Sequence, residues 1–328
     1  MYAQEKLVAV AAVTAAARLC EEIRAQKNAL VLNKADQSPV TVADFSSQAL
    51  ICQALSTAFP QDSIIGEENG DMLKQPGMET CLQNVTRYVR RLIPNTQETD
   101  VIHWINQGNG EWAERYWTLD PIDGTKGYIR GDQYAIALAL VEKGEVKVGV
   151  MGCPALPKRC TDESGEKGML FSAVHNQGAE MIPLGGGNSQ EIRVNQINNP
   201  QQLQAIESVV SSHSDRSLQR QLAQRLGLTK KVMQMDSLAK YGVVARGEAD
   251  LYVRIPLRSK WSRKENVWDH AAGAIMVTEA GGKVSDLEGK PLDFSCGAKL
   301  SNNLGIVVTN GLIHDPVIEL CGELIVNS

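Results

Sequence analysis

The sequence predicts an α/β protein whose N-terminal half is of the α+β type. The chain has 328 residues, and 43% of them are hydrophobic, which is enough for two domains or one large one with a buried core. After residue 134 the apolar runs follow one another as in antiparallel strands. After residue 199 short apolar runs alternate with helical segments, as in βαβ units. We therefore expect an N-terminal α+β domain over residues 1–198 and a C-terminal α/β domain over 199–328.

Helices are expected to dominate the first part of the chain. Residues 3–27 are rich in alanine and carry an apolar stripe with helical spacing, which predicts a long helix. Pro39 disfavours helix at Ser38, so the chain is expected to be extended there. The other elements predicted in this part are a short extended piece at 40–42, a helix from about Asp44 to Phe59, a strand at Ser63–Ile65, a helical excursion over 71–114 that includes a loop at 94–99, and a strand ending near Leu119.

The second part of the chain is expected to be richer in strands. The run YAIALALVEKGEVKVGVMGCP predicts a hairpin that turns at Glu142–Glu145. The runs GMLFSAVHNQGAEMIPL and EIRVN continue the antiparallel pattern. Helices are predicted from Ser217 to Leu226 and from about Asp269 to the glycines at 281 and 282, since glycine suits a helix C-terminus.

The charge and the cysteine content of the chain indicate its partners and its compartment. The formal net charge is −5, from 33 basic and 38 acidic residues, which favours neither a nucleic acid polymer nor an anionic membrane as a partner. No apolar run approaches the ~18 residues of a membrane span, and the first twenty residues lack the basic start of a signal peptide. The 7 cysteines are scattered, with no CxxC pair, which indicates reduced thiols. We therefore expect a cytoplasmic protein with a small-molecule substrate.

The stretch WTLDPIDGTKGYIRG, which begins at Trp117, carries the clearest chemical signal. Asp120 and Asp123 flank Pro121, which fixes its own φ angle, and Gly124 follows with its wider conformational range. We expect the two carboxylates to project from a rigid turn into one space, where a divalent cation would relieve their repulsion. Oxygen ligands favour Mg²⁺ over zinc. Two solvated aspartates in a loop are the alternative interpretation.

The string DPIDGT, residues 120–125, resembles the metal-binding signature of the inositol monophosphatase-like family of Mg²⁺-dependent, lithium-sensitive phosphatases. The extension DPIDGTKGYIRGDQYAIAL, residues 120–138, resembles more specifically the 3'(2'),5'-bisphosphate nucleotidases, which convert 3'-phosphoadenosine 5'-phosphate (PAP) to AMP. The resemblance runs from about Tyr2 to Asn310. It implies a layered αβαβα sandwich.

The resemblance also implies a site for two or three Mg²⁺ ions. The ligands that it implies are the carboxylates of Glu67, Asp120, Asp123 and Asp269 and the backbone carbonyl of Ile122. Glu68 is expected directly behind these ligands, in contact with them or with a water that they hold. Asp269 stands in the run WDHAAGAIMVTEAGG, which resembles the second signature of the family. Taken alone, Glu67 and Glu68 are also compatible with a solvated pair, and Asp269 with a helix N-cap.

Catalytic roles are implied for Asp44, which stands in the segment SPVTVAD, and for Thr125, whose hydroxyl lies beside the aspartate pair. Together they are expected to orient and deprotonate the attacking water, which attacks in line. No serine or cysteine nucleophile with a partner base is evident, which agrees with direct hydrolysis by this water. Taken alone, Asp44 is also compatible with a helix N-cap.

Substrate recognition is implied mainly for the C-terminal half. The residues are Gly124, Thr125, His213, Ser237, Lys240, Arg254 and Asp269. Lys240 and Arg254 suit the phosphate that is not cleaved, although both are also compatible with ordinary surface charges. The segment LRSKWSRKENVWD departs from the family pattern at Asn266 and Val267, after a basic run, and we expect it to influence substrate choice.

We therefore expect a Mg²⁺-dependent, lithium-sensitive phosphomonoesterase that hydrolyses PAP to AMP and phosphate, as a monomer or a homodimer. PAPS and 2'-PAP are further candidate substrates. An inositol-phosphate or sugar-bisphosphate phosphatase on the same scaffold is the alternative. A non-catalytic nucleotide or metal sensor is less favoured, because a sensor has no need of the water-activating pair Asp44 and Thr125.

Overall fold

A computed structural model describes residues 1–26, 31–34, 38–162, 165–210 and 214–326. Within these ranges a seven-stranded sheet forms the centre of the molecule, and its strands lie side by side in chain order. Only the first pair is parallel, and every later pair is antiparallel. The strands are β3 (Ser63–Gly66), β4 (Arg115–Asp123), β5 (Ala135–Glu142), β6 (Glu145–Pro157), β7 (Lys167–Val174), β8 (Ala179–Pro183) and β9 (Gln190–Ile192).

The middle strands of this sheet are buried on both faces, as their unbroken apolar sequences require. All residues of β5 except its last are buried. The predicted hairpin between β5 and β6 is confirmed, because Glu142 pairs with Glu145 and the turn residues Lys143 and Gly144 have positive φ, as a two-residue hairpin loop needs.

One face of the sheet is covered by α1 (Ala3–Ala25) and α2 (Val42–Ala58). The alanine-rich face of α1 approaches the strands closely, since a Cβ added at Gly152 would lie 2.9 Å from Val13. A small hairpin of β1 (Val31–Asn33) and β2 (Pro39–Thr41) leads into α2. Helices α3 (Glu79–Arg90) and α4 (Glu98–Asn106) pack on α2 and confirm the predicted helical excursion.

The other face is covered by α7 (Ala239–Ala245) and α8 (Ala271–Glu279), on which a smaller antiparallel sheet packs. This sheet has the order β12 (Leu251–Arg254), β14 (Ile306–Thr309), β13 (Lys283–Ser285). Helices α6 (Arg216–Arg225) and α9 (His314–Val326) form the outermost layer. The short parallel pair of β10 (Ile206–Glu207) and β11 (Met233–Gln234) encloses α6 in the chain and gives the expected βαβ unit. The layers therefore run α, β, α, β, α, and the predicted sandwich is confirmed.

Three boundaries differ by a few residues from those predicted. Strand β4 does not end at Leu119 but continues to Asp123, followed at once by a short helix, α5 (Thr125–Arg130). Helix α2 begins at Val42 with Thr41 as its N-cap, so Asp44 is its third residue and not the cap. Helix α8 begins at Ala271 after His270, so Asp269 lies just before the helix.

The division into domains at 198/199 remains a proposal. The large sheet ends at Ile192, and a 3₁₀ turn follows at Pro200–Gln202. One continuous apolar core nevertheless joins strand residues such as Phe171 to helix residues such as Tyr241. Among the described residues, no helix combines the length and the apolar character needed to cross a bilayer.

Candidate active site

The parallel pairing of β3 with β4 brings the first acidic residues together. Gly66 pairs with Leu119, and the Glu67 amide donates to the Leu119 carbonyl at 3.1 Å. Glu67 and Asp120 therefore follow paired residues and emerge at the same end of two neighbouring strands. The β4–β5 register shifts between Asp120 and Asp123, and this irregularity replaces the rigid turn that we had expected after Leu119.

Three aspartates from two distant parts of the chain meet beside this strand end. Carboxylate oxygens of Asp120, Asp123 and Asp269 all lie within 4.8 Å of one another. The backbone orients the first two, because Ile122 N donates to Asp120 Oδ1 at 3.1 Å and Leu238 N donates to Asp123 Oδ2. Asn266 Nδ2 donates to Asp269 Oδ2 at 3.2 Å.

The electrostatics of this cluster fit a cation. Burial raises the pKa of Asp120 well above its ordinary value, and the nearby Glu67 and Asp123 raise it further. Burial and the Asp269 charge raise the pKa of Asp123 to about 7. Close carboxylates shift each other in this way when nothing neutralises them. The donors are all hard oxygens, so the residues fit Mg²⁺ or a similar ion.

Asp44 and Thr125 lie behind the cluster and contact each other. Asp44 Oδ2 accepts hydrogen bonds from Thr41 N at 2.8 Å and Thr41 Oγ1 at 2.6 Å, which completes the capping box of α2. The other oxygen, Asp44 Oδ1, accepts from Thr125 Oγ1 at 3.3 Å. The Thr125 hydroxyl also lies 3.1 Å from the Ile122 carbonyl. Burial raises the pKa of Asp44 to about 6.

The backbone around Thr125 depends on Gly124. This glycine has φ 85°, and a Cβ there would lie 3.1 Å from Ser237 Cβ, so a larger residue would be strained and crowded. Ser47 on α2 donates to the Pro121 carbonyl at 3.0 Å, which ties the helix carrying Asp44 to the strand carrying Asp120. The fold therefore fixes the position of Asp44 relative to Asp120.

Glu67 and Glu68 share a lysine that the sequence analysis missed. Lys34 Nζ lies 2.7 Å from Glu67 Oε1 and 2.6 Å from Glu68 Oε1. Glu68 is buried, and its backbone is held at both ends by the Gln48 amide. Burial and the Glu67 charge raise the pKa of Glu68. Lys34 comes just before the SPVTVAD segment, and this position is the feature of the sequence that could have pointed to it.

Ser237 and Lys240 face the cluster from the start of α7. Lys240 is only 4% exposed, and its ammonium group donates to the carbonyls of Met235 at 3.3 Å and Ser237 at 2.6 Å. Burial lowers the pKa of Lys240 to about 8, against the opposing effect of Asp123. The interpretation of Lys240 as an ordinary surface charge is therefore wrong.

Arg254 also lies inside the site, paired with a residue that the sequence analysis did not single out. Its Nη2 lies 2.8 Å from Glu265 Oε2, while its buried Nε has no partner among the described residues. Burial opposes the charge of Arg254, but Glu265 acts together with three further groups, and the pKa rises. These groups are Tyr252, Asp269 and Asp123. His270 accepts or donates a 2.8 Å hydrogen bond through Nδ1 to Tyr241. In the sequence, Glu265 is marked only by its position as the first acidic residue after the basic run of the segment LRSKWSRKENVWD.

These residues line one open cleft of about 480 Å³. Asp44 and Glu68 lie buried beneath its floor, and His213 lies outside the described residues. The predicted site residues that line the cleft are Glu67, Asp120, Ile122, Asp123, Gly124, Thr125, Ser237, Lys240, Arg254 and Asp269. Carboxylates and basic side chains thus line the same cleft, as a phosphate ester bound beside cations would require.

Fold and site together define a phosphatase class: a family model described as the inositol monophosphatase family matches residues 3–324, and the chain belongs to that family. Among solved structures, the chain resembles the Thermotoga maritima IMPase (TM-score 0.67, 23% identity, 100% of this chain and 99% of that one). It also resembles the inositol monophosphatase of Anabaena (TM-score 0.63, 20% identity, 98% and 96%). These likenesses establish the fold.

Curated relatives are nearer in sequence. A rice protein named 3'(2'),5'-bisphosphate nucleotidase is 43% identical over 330 aligned positions, which cover 94% of this chain and 91% of the relative. A Schizosaccharomyces pombe protein of the same name is 40% identical, with 96% and 94% covered. The resemblance read from DPIDGTKGYIRGDQYAIAL is therefore confirmed at the level of the whole chain.

Proposed function

We propose that this protein is a Mg²⁺-dependent, lithium-sensitive phosphatase that hydrolyses PAP to AMP and phosphate. The observation that carries the proposal is the presence, in one cleft, of three converging aspartates, the buried Lys240 and the half-buried Arg254. The aspartates suit metal ions beside the phosphate under attack. Lys240 and Arg254 suit the rest of an anionic nucleotide. The names of the relatives at about 40% identity support the same substrate.

The proposed metal ligands are carboxylates and one carbonyl at the end of β4. Burial and the neighbouring charges raise the pKa of Asp120 and Asp123, and a divalent cation bound there would relieve the repulsion between these carboxylates. Bound there, two or three Mg²⁺ ions would stabilise the charge that develops on the phosphoryl group and acidify the attacking water. The ligands are Glu67, Asp120, Asp123, Asp269 and the carbonyl of Ile122.

The water is activated by Asp44 and Thr125 in this proposal. When the Thr125 hydroxyl donates to Asp44 Oδ1, its oxygen lone pairs remain free to accept a hydrogen bond from the water. As the water attacks phosphorus in line with the ester oxygen, its proton passes to Thr125 Oγ1 and the threonine proton passes to Asp44. The bond between phosphorus and the ribose 3'-oxygen breaks, and this oxygen leaves with the electron pair and takes a proton from solvent. The raised pKa of Asp44, about 6, suits a general base near neutral pH.

Lys240, Arg254, Ser237 and Asp269 orient the nucleotide, with Gly124 and Thr125 close to the phosphate. His213 is retained as a proposed contact on the resemblance alone. PAPS and 2'-PAP are further candidate substrates. The protein is proposed to act in the cytoplasm as a monomer or homodimer, and its seven cysteines are free.

The alternative is an inositol-phosphate or sugar-bisphosphate phosphatase, which the shared fold with IMPases favours. Phosphate release from PAP, 3'-AMP and inositol 1-phosphate, measured in parallel, tests the proposal. We expect the highest kcat/KM for PAP. A higher kcat/KM for inositol 1-phosphate would contradict it.

A further inference from the structure

A strongly basic loop connects two residues of the site. Residues 255–264, which we call the basic loop, read IPLRSKWSRK and lie between Arg254 and Glu265. They include four cations, Arg258, Lys260, Arg263 and Lys264, and no acid, in a chain whose net charge is −5. Such a local excess of positive charge attracts small anions.

The basic loop is held in place at both ends. The ion pair between Arg254 and Glu265 closes it, with 2.8 Å between Nη2 and Oε2. Leu300 N donates to the Glu265 carbonyl at 2.9 Å. Within the loop, Trp261 Nε1 donates to the Pro256 carbonyl at 3.2 Å. These contacts tie both ends of the basic loop and its Trp261 side chain to the backbone around the cleft.

Three cations of the basic loop line the cleft that holds the aspartates, namely Lys260, Arg263 and Lys264. In the described ranges Arg263 forms no ion pair, and Lys264 Nζ contacts only a neutral acceptor, the Asn303 carbonyl at 3.0 Å. The charges of Arg263 and Lys264 are therefore not balanced by protein carboxylates.

The charges of Arg254 and Lys240, in contrast, already interact with protein carboxylates. Arg254 is already paired with Glu265, and Lys240 donates to two backbone carbonyls and lies under the influence of Asp123. The Arg254 Nε has no partner among the described residues, but a second phosphate bound there would lie close to the negative charge of Glu265. Arg263 and Lys264 lack such a carboxylate partner in the described ranges, and the guanidinium group of Arg263 can bind a phosphate through two parallel hydrogen bonds.

We propose that Arg263 and Lys264, assisted by Lys260, form the subsite for the phosphate of the substrate that is not hydrolysed. This proposal rests on the proposed function, because it assumes a substrate with two separate phosphates. It assigns Arg254 and Lys240 to the nucleoside part of the substrate. The basic loop then determines the preference for a bisphosphate over a monophosphate.

The test compares PAP with 3'-AMP, which has the same scissile bond but lacks the 5'-phosphate. The variants are Arg263→Ala, Lys264→Ala and the double variant. The matched control is Arg220→Ala with Lys231→Ala, which removes the same net charge from exposed positions outside the cleft. Thermal unfolding of each variant checks the fold.

We expect the ratio of kcat/KM for PAP to kcat/KM for 3'-AMP to fall about 5–30-fold in the double variant, the range between an exposed ion pair and a charge-assisted hydrogen bond. The control should keep the wild-type ratio. The wild-type preference for PAP should also weaken as ionic strength rises. An unchanged ratio in the double variant, with a wild type that hydrolyses PAP, would overturn this inference alone. A wild type inactive on PAP would overturn the proposed function, and this inference with it.

Discussion

Thr125 Oγ1 lies 3.3 Å from Asp44 Oδ1, and this contact joins the start of α5 to the first turn of α2. The other oxygen of Asp44 is occupied by the backbone and side chain of Thr41. One carboxylate therefore caps a helix with one oxygen and is available to a proton relay with the other. Asp44 is not the N-cap of α2, but its place in the capping box, as the third residue of the helix, is compatible with a catalytic role.

We predict that Asp44→Asn lowers kcat for every substrate by about 10²–10⁴-fold, because the relay loses its proton acceptor. KM should change little, since Asp44 lies beneath the floor of the cleft. Steady-state kinetics on PAP and inositol 1-phosphate provide the measurement. Asp71→Asn, at an exposed carboxylate, is the control. A loss confined to one substrate would remove Asp44 from the relay.

Asp120→Asn should separate stability from metal binding. The substitution relieves charge repulsion in the cluster, so the metal-free variant should melt no lower than wild type. It also removes a ligand charge, so the rise in Tm on adding Mg²⁺ should shrink. Activity should fall at least ~10²-fold and not recover at moderate Mg²⁺. Near-normal turnover, or an unchanged Mg²⁺-dependent rise in Tm, would contradict the proposed ligand set.

Lithium is expected to inhibit by replacing one Mg²⁺. Li⁺ carries a single charge, so it would stabilise the developing negative charge less well at the same position. Phosphate release from PAP should fall as LiCl rises through the millimolar range, with NaCl at equal concentrations as the ionic-strength control. Equal responses to the two salts would argue against a lithium-sensitive site.

Lys240→Ala and Arg254→Ala should affect PAP more than inositol 1-phosphate. Each removes a charge-assisted contact to the nucleotide, worth roughly 1.5–3 kcal/mol, or about 10–150-fold in kcat/KM. Arg254→Ala also leaves Glu265 without its partner, so Tm should fall in this variant. The double variant Arg254→Met with Glu265→Gln should recover Tm but not activity on PAP. Equal kinetic losses on both substrates would indicate a structural role.

Much of the fold was predictable because its elements have local signals. The alanine-rich α1, the apolar strands β5 and β6 and their tight turn were all predicted from residues close together in the chain. The end of β4 was not, because its continuation to Asp123 depends on pairing with β5 across a register shift. The starts of α2 and α8 were misplaced by about two residues. The capping box of Thr41 and Asp44 at the start of α2 is a local signal that was not used, whereas His270 makes no side-chain capping hydrogen bond at the start of α8.

The site was predictable to a different degree. Asp120 and Asp123 stand in one motif, and their shared environment follows from their spacing. Asp269 joins them from a distance of more than a hundred residues, and only a resemblance could suggest this. The partners Lys34 and Glu265 carry no motif, because each is placed by the approach of segments that the sequence alone does not connect. The burial of Lys240 and its hydrogen bonds to backbone carbonyls likewise result from tertiary packing.

The central claim, a metal-dependent phosphatase acting on a nucleotide bisphosphate, is tested most directly by phosphate release from PAP with and without Mg²⁺, beside inositol 1-phosphate under the same conditions. The account predicts release from PAP that requires Mg²⁺, ceases on chelation with EDTA, and exceeds release from inositol 1-phosphate in kcat/KM. Release that persists without divalent cations, or that is faster from inositol 1-phosphate than from PAP, would contradict it.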